Sequence, residues 1–162
     1  MDGARAFHAL LRAEDLHPAA REIDLRVGGR FLWCMRWPDG RENDTSGEYV
    51  EIVPLESLVY TTTFADAEGK AVPASYYGMG DDIAFEMNVT VIFNEQDGKT
   101  TLTLTHEGLP AGEIGDSARE GWIESLNKHR KPAMARRNVV SVSKGGEKTA
   151  TNDREIHHQS DV

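Results

Sequence analysis

The chain has 162 residues, 27 acidic and 18 basic side chains, one cysteine and 39% hydrophobic residues. That is enough for one domain with a real core and too little for a second full catalytic domain. A formal net charge of −9 leaves no bulk basic reservoir for neutralising phosphates, so no nucleic-acid partner is expected. A lone Cys34 excludes an intrachain disulfide framework and a multi-cysteine zinc site, and it fits a reducing, cytoplasmic setting.

The charge is uneven. Residues 1–127 hold 23 acidic and 10 basic side chains, whereas 128–162 hold 4 acidic and 8 basic. An acidic body is therefore followed by a basic tail. Asp2 and the short apolar run from Phe7 to Leu11 do not make a secretory signal, and no stretch is apolar for long enough to span a membrane. Asn43-Asp44-Thr45 and Asn88-Val89-Thr90 match the glycosylation sequon but carry no weight without export.

Residues 4–16 place Phe7, Leu10, Leu11 and Leu16 at helical spacing, and Pro18 ends the run, which predicts a short amphipathic helix. From Glu22 the period changes to two. Ile23, Leu25 and Val27 alternate with charged residues until Gly28-Gly29 breaks the strand. Arg30 to Trp37 reads as the next strand, closed by the turn Pro38-Asp39-Gly40. Further strands are expected at 48–53, 58–64, 83–94 and 99–106, the last two joined through Asp97-Gly98, a strong hairpin signal. Residues 69–82 form a Gly-containing loop whose Gly78-Met79-Gly80 lacks the strand-loop-helix context of a phosphate cradle. Ser117 to Glu120 resembles a capping box, so a helix is expected from about Asp116, with Ala118, Trp122, Ile123 and Leu126 as its apolar stripe and Pro132 as its stop. The Ser-, Lys-, Gly- and Thr-rich residues from 141 onward read as a disordered tail.

Strand parity then defines a dry face. Ile83, Phe85, Met87, Val89, Val91 and Phe93 share one side of a strand, as do Phe31, Trp33 and Met35, and Leu102, Leu104 and His106. The helix bearing Trp122 is the expected cover, and a curved antiparallel sheet wrapped on a helix can enclose an apolar cavity with one titratable group, His106.

Six motifs occur in order: Asp24-Leu25-Arg26-Val27-Gly28-Gly29-Arg30-Phe31; Pro38-Asp39-Gly40; Gly47-Glu48-Tyr49-Val50-Glu51-Ile52-Val53-Pro54 with Leu58-Val59-Tyr60-Thr61; Val89-Thr90-Val91; Leu102 to Pro110; and Gly121-Trp122-Ile123-Glu124-Ser125-Leu126. Together, over about residues 20–128, the chain resembles the activator of heat-shock protein 90 ATPase homologue-like family of the START/SRPBCC superfamily. The resemblance implies an α+β helix-grip fold of the Bet v-like kind, an antiparallel sheet curled around a C-terminal helix with a deep apolar pocket. Superfamily members bind lipids, hormones or polyketides, and some catalyse cyclisation. Both ends are atypical. The family's first strand and the tryptophans of its first helix have no counterpart here, and Asn127 to Pro132 interrupts the usual leucine-rich helix.

Candidate groups each have a plainer alternative. His106 could orient a ligand carbonyl or serve as acid or base, or it could be a strand-end histidine bonded to backbone. Glu107 points to the opposite face and is a poor partner for it. Tyr60, Tyr76 and Tyr77 could meet ligand at a pocket rim or be ordinary half-buried tyrosines. Cys34 has opposite parity to Trp33 and Met35 and no sequence-local base, which reads as an inert thiol. His157-His158 lacks preset metal geometry, and Asp81, Asp82 and Glu86 read as a solvated loop and strand face.

The resulting expectation is three segments: a short helix over 1–19, a START-like domain over 20–131, and a basic disordered tail over 132–162 that is dispensable for folding. The domain is expected to bind a small apolar or aromatic ligand through Phe31, Trp33, Met35, Tyr60, Phe85, Met87, Val89, His106 and Trp122, with no cofactor and no metal. Two other readings stand beside it. One is a polyketide cyclase or hydrolase-type enzyme using His106; the other is a co-chaperone-like interaction module with a chaperone partner or a second copy.

Overall fold

A computed structural model describes residues 20–36, 40–128 and 136–144. Seven strands form one sheet in sequence order: β1 (Ala20–Ile23), β2 (Arg30–Arg36), β3 (Glu42–Val53), β4 (Ser57–Ala65), β5 (Met87–Gln96), β6 (Lys99–Glu107) and β7 (Arg136–Ser143). One helix, α1 (Glu113–Lys128), lies between β6 and β7. Every pair through β6 is antiparallel, and short turns suffice to join them. The β5–β6 turn follows from its residues: Asp97 and Gly98 both take positive φ, at 53° and 72°, as the tight hairpin turn with matching twist requires.

The alternation of apolar residues builds the inward face. Phe31 and Trp33 on β2, Leu58 and Tyr60 on β4, Val89, Val91 and Phe93 on β5, and Leu102 and Leu104 on β6 are buried in one cluster. Leu126 of α1 joins it, with Trp122 and Ile123 packed against it. A second cluster of Phe64, Ala74, Ile83, Met87 and Leu109 lies toward the start of α1, where Ile114 and Ala118 reach it. The expected stripe of Ala118, Trp122, Ile123 and Leu126 is thus the face α1 turns to the sheet.

Gly47 makes one approach possible. It sits opposite Phe31 across β2 and β3, and a Cβ there would collide with the Phe31 ring and the Thr61 carbonyl oxygen. The missing side chain lets the Phe31 ring lie flat over β3.

Several expectations need correction. The first strand ends at Ile23, and Leu25 and Val27 are exposed in a turn closed by the Gly29 N–H on the Arg26 carbonyl at 2.8 Å. Strand β3 begins at Glu42 rather than Glu48, because Glu42 to Gly47 pair with β2. Strand β5 begins at Met87 rather than Ile83. Beyond Thr62 the position beside β4 is taken by the chain at 71–72, with Val72 N–H donating to the Phe64 carbonyl and Ala65 bridging Ala71. Helix α1 starts at Glu113, one turn before the capping-box pattern. Its first hydrogen bonds include Asp116 N–H to the Gly112 carbonyl, and acidic Glu113 and Asp116 complement the positive helix end.

The largest correction is at the C-terminus. Residues 136–143, read as part of a disordered tail, form β7, which pairs in parallel with all but the first residue of β6. A parallel neighbour needs a long crossover, and α1 supplies it. Val140 is buried in the main cluster, and the Ser143 carbonyl accepts from Gly108 and Leu109 N–H at 2.7 and 3.1 Å, tying the end of β7 to the entry of α1. On the opposite side of β7, Arg119 of α1 donates from Nε to the Val140 carbonyl at 3.2 Å. The expected helix over 4–16, and the tail beyond 144, lie outside the described residues.

Candidate functional site

Strand register brings the site together in rows across the sheet. Tyr49 pairs with Tyr60, Tyr60 with Val89, Val89 with His106 and His106 with Val142, so five strands contribute one inward row. The row beside it runs from Ile23 through Phe31, Gly47 and Thr62 to Met87, and the next from Trp33 through Thr45 to Phe64. A register change between Tyr49 and Glu51 puts Val50 at a bulge, exposed, while Tyr49 stays buried.

The aromatic side chains of these rows touch. Phe31 stacks on Trp33 with ring centres 4.0 Å apart and an interplanar angle of 14°. Tyr60 meets both edge-on, at 5.5 Å from Phe31 and 6.0 Å from Trp33, and Tyr49 lies 5.4 Å from Phe31. Burial pushes the Tyr49 phenol up to about 12, and it raises the fully buried Tyr60 further, with Tyr49 adding a smaller effect. Both hydroxyls stay neutral at physiological pH.

His106 sits at the other end of the same row, at 9% exposure. The Trp122 indole N–H donates to its Nδ1 at 3.1 Å, with the two rings nearly edge-on at 75°. An indole nitrogen can only donate, so Nδ1 is the acceptor and the neutral ring carries its proton on Nε2. That Nε2 is buried with no hydrogen-bond partner among the described residues. Burial lowers the imidazole pKa to about 4, and no charged group contributes to the shift. The expectation that His106 faces inward is met, but what stands behind it is an indole rather than a carboxylate. Glu107, half-buried, follows it on the opposite face.

The inward face also holds a polar band that the sequence reading missed. Asn43, Thr45 and Thr62 are buried there, and Asn43 Nδ2 donates to Thr45 Oγ1 at 3.2 Å. The sequence over 42–47 has no apolar alternation to reveal a strand, which is why Asn43 and Thr45 carry no local mark of their inward position.

Not all expected lining residues belong. Phe31, Trp33, Tyr60, Val89, His106 and Trp122 are brought together. Met35, at the open end of β2, is 38% exposed, and Phe85, displaced from β5, is 54% exposed. Met87 is buried, but in the second cluster with Phe64 and Ile83. Tyr77 is structural: its hydroxyl donates to the Ala65 carbonyl at 2.5 Å and accepts from Asp44 N–H at 3.1 Å. Tyr76 is exposed. Cys34 is part-buried, its Sγ 4.0 Å from the Met35 carbonyl oxygen. A separate groove of about 390 Å³ lies outside the sheet interior, lined by Pro73, Ala74, Asp81, Ile83 and Phe85 among others. No group of three or more metal-ligating side chains gathers among the described residues, and His157-His158 lies outside them. No helix among the described residues is long and apolar enough to cross a membrane.

A seven-stranded, mostly antiparallel curled sheet with a C-terminal helix against its inward face is the helix-grip architecture. The chain belongs to the family described as Activator of Hsp90 ATPase homolog 1-like protein, whose model matches residues 3–130. Solved structures share the fold. Protein CV1439 from Chromobacterium violaceum is 24% identical, with a TM-score of 0.58 over 78% of this chain and 85% of that one. Protein Ms6760 from Mycobacterium smegmatis is 19% identical, with a TM-score of 0.56 over 78% and 80%. A protein from Staphylococcus epidermidis is 20% identical, with a TM-score of 0.55 over 78% and 79%. No curated protein matches the chain.

Proposed function

We propose that this domain binds a small apolar or aromatic ligand between the inward face of the sheet and α1, against Phe31, Trp33, Tyr60, Val89, His106 and Trp122. One observation carries the reading: the dry face of the sheet combines packed aromatic rings with buried, uncharged polar side chains, namely Asn43, Thr45, Thr62, Tyr60 and His106. A face built for stability alone would be apolar there, because each buried polar group needs a partner to offset its lost hydration. Affinity would come chiefly from apolar burial, at ~25 cal/mol per Å², with the polar groups setting orientation.

Binding ranks above catalysis. A general base works best with a pKa near the operating pH, whereas the His106 ring lies well below it and has no carboxylate partner among the described residues. Such a ring donates a hydrogen bond better than it abstracts a proton. The co-chaperone reading, with a chaperone or a second copy as partner, rests on the family description alone and ranks third.

Tryptophan fluorescence tests the proposal directly. Titration with flavonoids, polyketide-like aromatics and short-chain lipids is expected to give saturable quenching for at least one class, reduced in Trp122→Phe. No response from any class would remove the reading.

A further inference from the structure

The state of His106 narrows the chemistry of the ligand proposed above, and this step rests on that reading. Three facts bear on it. The Trp122 indole holds Nδ1 as an acceptor, which leaves Nε2–H as the ring's free donor. That donor is buried and has no partner among the described residues. A donor stranded in this way has lost its hydration without compensation, which an incoming acceptor would restore. Finally, among the described residues the charged side chains nearest in the fold do not face the ring. Glu107 lies on the other side of β6, Glu86 and Lys144 are exposed, and Arg119 is engaged with the Val140 carbonyl at the outer edge of β7.

We propose that the ligand carries an uncharged hydrogen-bond acceptor, a ketone, ester or quinone carbonyl on an apolar or aromatic skeleton, and that His106 Nε2–H receives it. Trp122 is the positioning residue that holds the imidazole in the donating tautomer. From His106 the same row continues through Val89 to Tyr60, which sets the direction an apolar body would take. A carboxylate is disfavoured, because it would enter a low-dielectric interior with no cation facing the ring among the described residues.

The test uses the full chain and three matched probes followed by tryptophan quenching at neutral pH: 2-acetylnaphthalene, its carbon isostere 2-isopropenylnaphthalene, and 2-naphthoate. The ketone is expected to bind about tenfold more tightly than the isostere, the ratio one net hydrogen bond supplies, and the carboxylate more weakly than either. His106→Phe should erase the preference for the ketone while still binding the hydrocarbon. Nitrogen-15 NMR of the unliganded protein reads the tautomer independently of whether that variant folds, with His106 expected as Nε2–H in the wild type and mixed in Trp122→Phe. Equal affinity for ketone and isostere, tightest binding of the carboxylate, or an Nδ1–H tautomer would each overturn the inference while the binding reading stands. Failure of both uncharged probes would overturn the two together.

Discussion

The Trp122 indole N–H meets His106 Nδ1 at 3.1 Å, joining the inward stripe of α1 to the last inward position of β6. This bond links helix to sheet directly, and it sets the tautomer of the one buried imidazole among the described residues. Burial of that imidazole makes stability depend on pH.

The folded-state pKa of His106 is about 4, below the ordinary value of 6.5. The unfolded chain therefore binds the extra proton first, so the stabilising contribution is complete above pH 6.5 and is lost as pH falls toward 4. The full loss is about 3 kcal/mol, at roughly 1.4 kcal/mol per pH unit. Denaturant unfolding between pH 7 and 5 should show a steeper decline for the wild type than for His106→Phe. Equal slopes would mean that the imidazole is not buried as described.

Gly47 has no room for a side chain. Gly47→Ala should drive the Phe31 ring off β3 or part β3 from β4 at Thr61, destabilising the fold by about 3 kcal/mol or more, in the range of overpacked or strained core positions. Thermal unfolding checks this. A change in Tm of under two or three degrees, on the scale of about 4–8 °C per kcal/mol for a small domain, would show that the strands adjust freely.

Strand β7 makes residues 136–143 of the basic C-terminal segment part of the fold. A chain ending at residue 135 should lose cooperative unfolding, because it removes the whole β6–β7 ladder and buried Val140, whereas one ending at 144 should keep it. The single change Val140→Ala should cost about 1–3 kcal/mol. Cooperative, undiminished unfolding of the shorter chain would return β7 to the status of an appendage.

Phe85 and Phe31 are a matched contrast. Phe85→Ser should alter stability by less than about 0.5 kcal/mol and leave binding of an aromatic probe unchanged, since the ring is exposed and outside the sheet interior. Phe31→Ala should cost about 3–5 kcal/mol, as it deletes the ring stacked between Trp33 and the two tyrosines. Chemical denaturation separates the two, and a larger loss at Phe85 would place it in the core.

Which parts of this were legible in the sequence follows from which forces leave a local pattern. Alternating apolar residues revealed β2, β4 and β6 to within a residue or two, and Asp97-Gly98 revealed the β5–β6 hairpin, because period and turn chemistry are local. The inward placement of His106 followed from the same parity, and that of Trp122 from the helical spacing of Ala118, Trp122, Ile123 and Leu126. Phe85 misled because parity was continued past Met87, where the ladder yields to the chain at 71–72, a tertiary event with no local mark. Asn43 and Thr45 were missed because a polar inward face has the wrong composition for a hydrophobic pattern. Strand β7 was hidden by Arg136, Arg137 and Ser141 around its valines; its pairing depends on α1 returning the chain to β6, a long-range condition that no window of sequence contains.

The central claim is that a ligand enters between the sheet and α1 beside His106 and Trp122. It is tested most directly by following the indole ¹H–¹⁵N resonances of Trp33 and Trp122, assigned through Trp33→Phe and Trp122→Phe, during titration with 2-acetylnaphthalene. Both indoles are expected to shift saturably with one dissociation constant. Indoles that stay unmoved through the titration would contradict it.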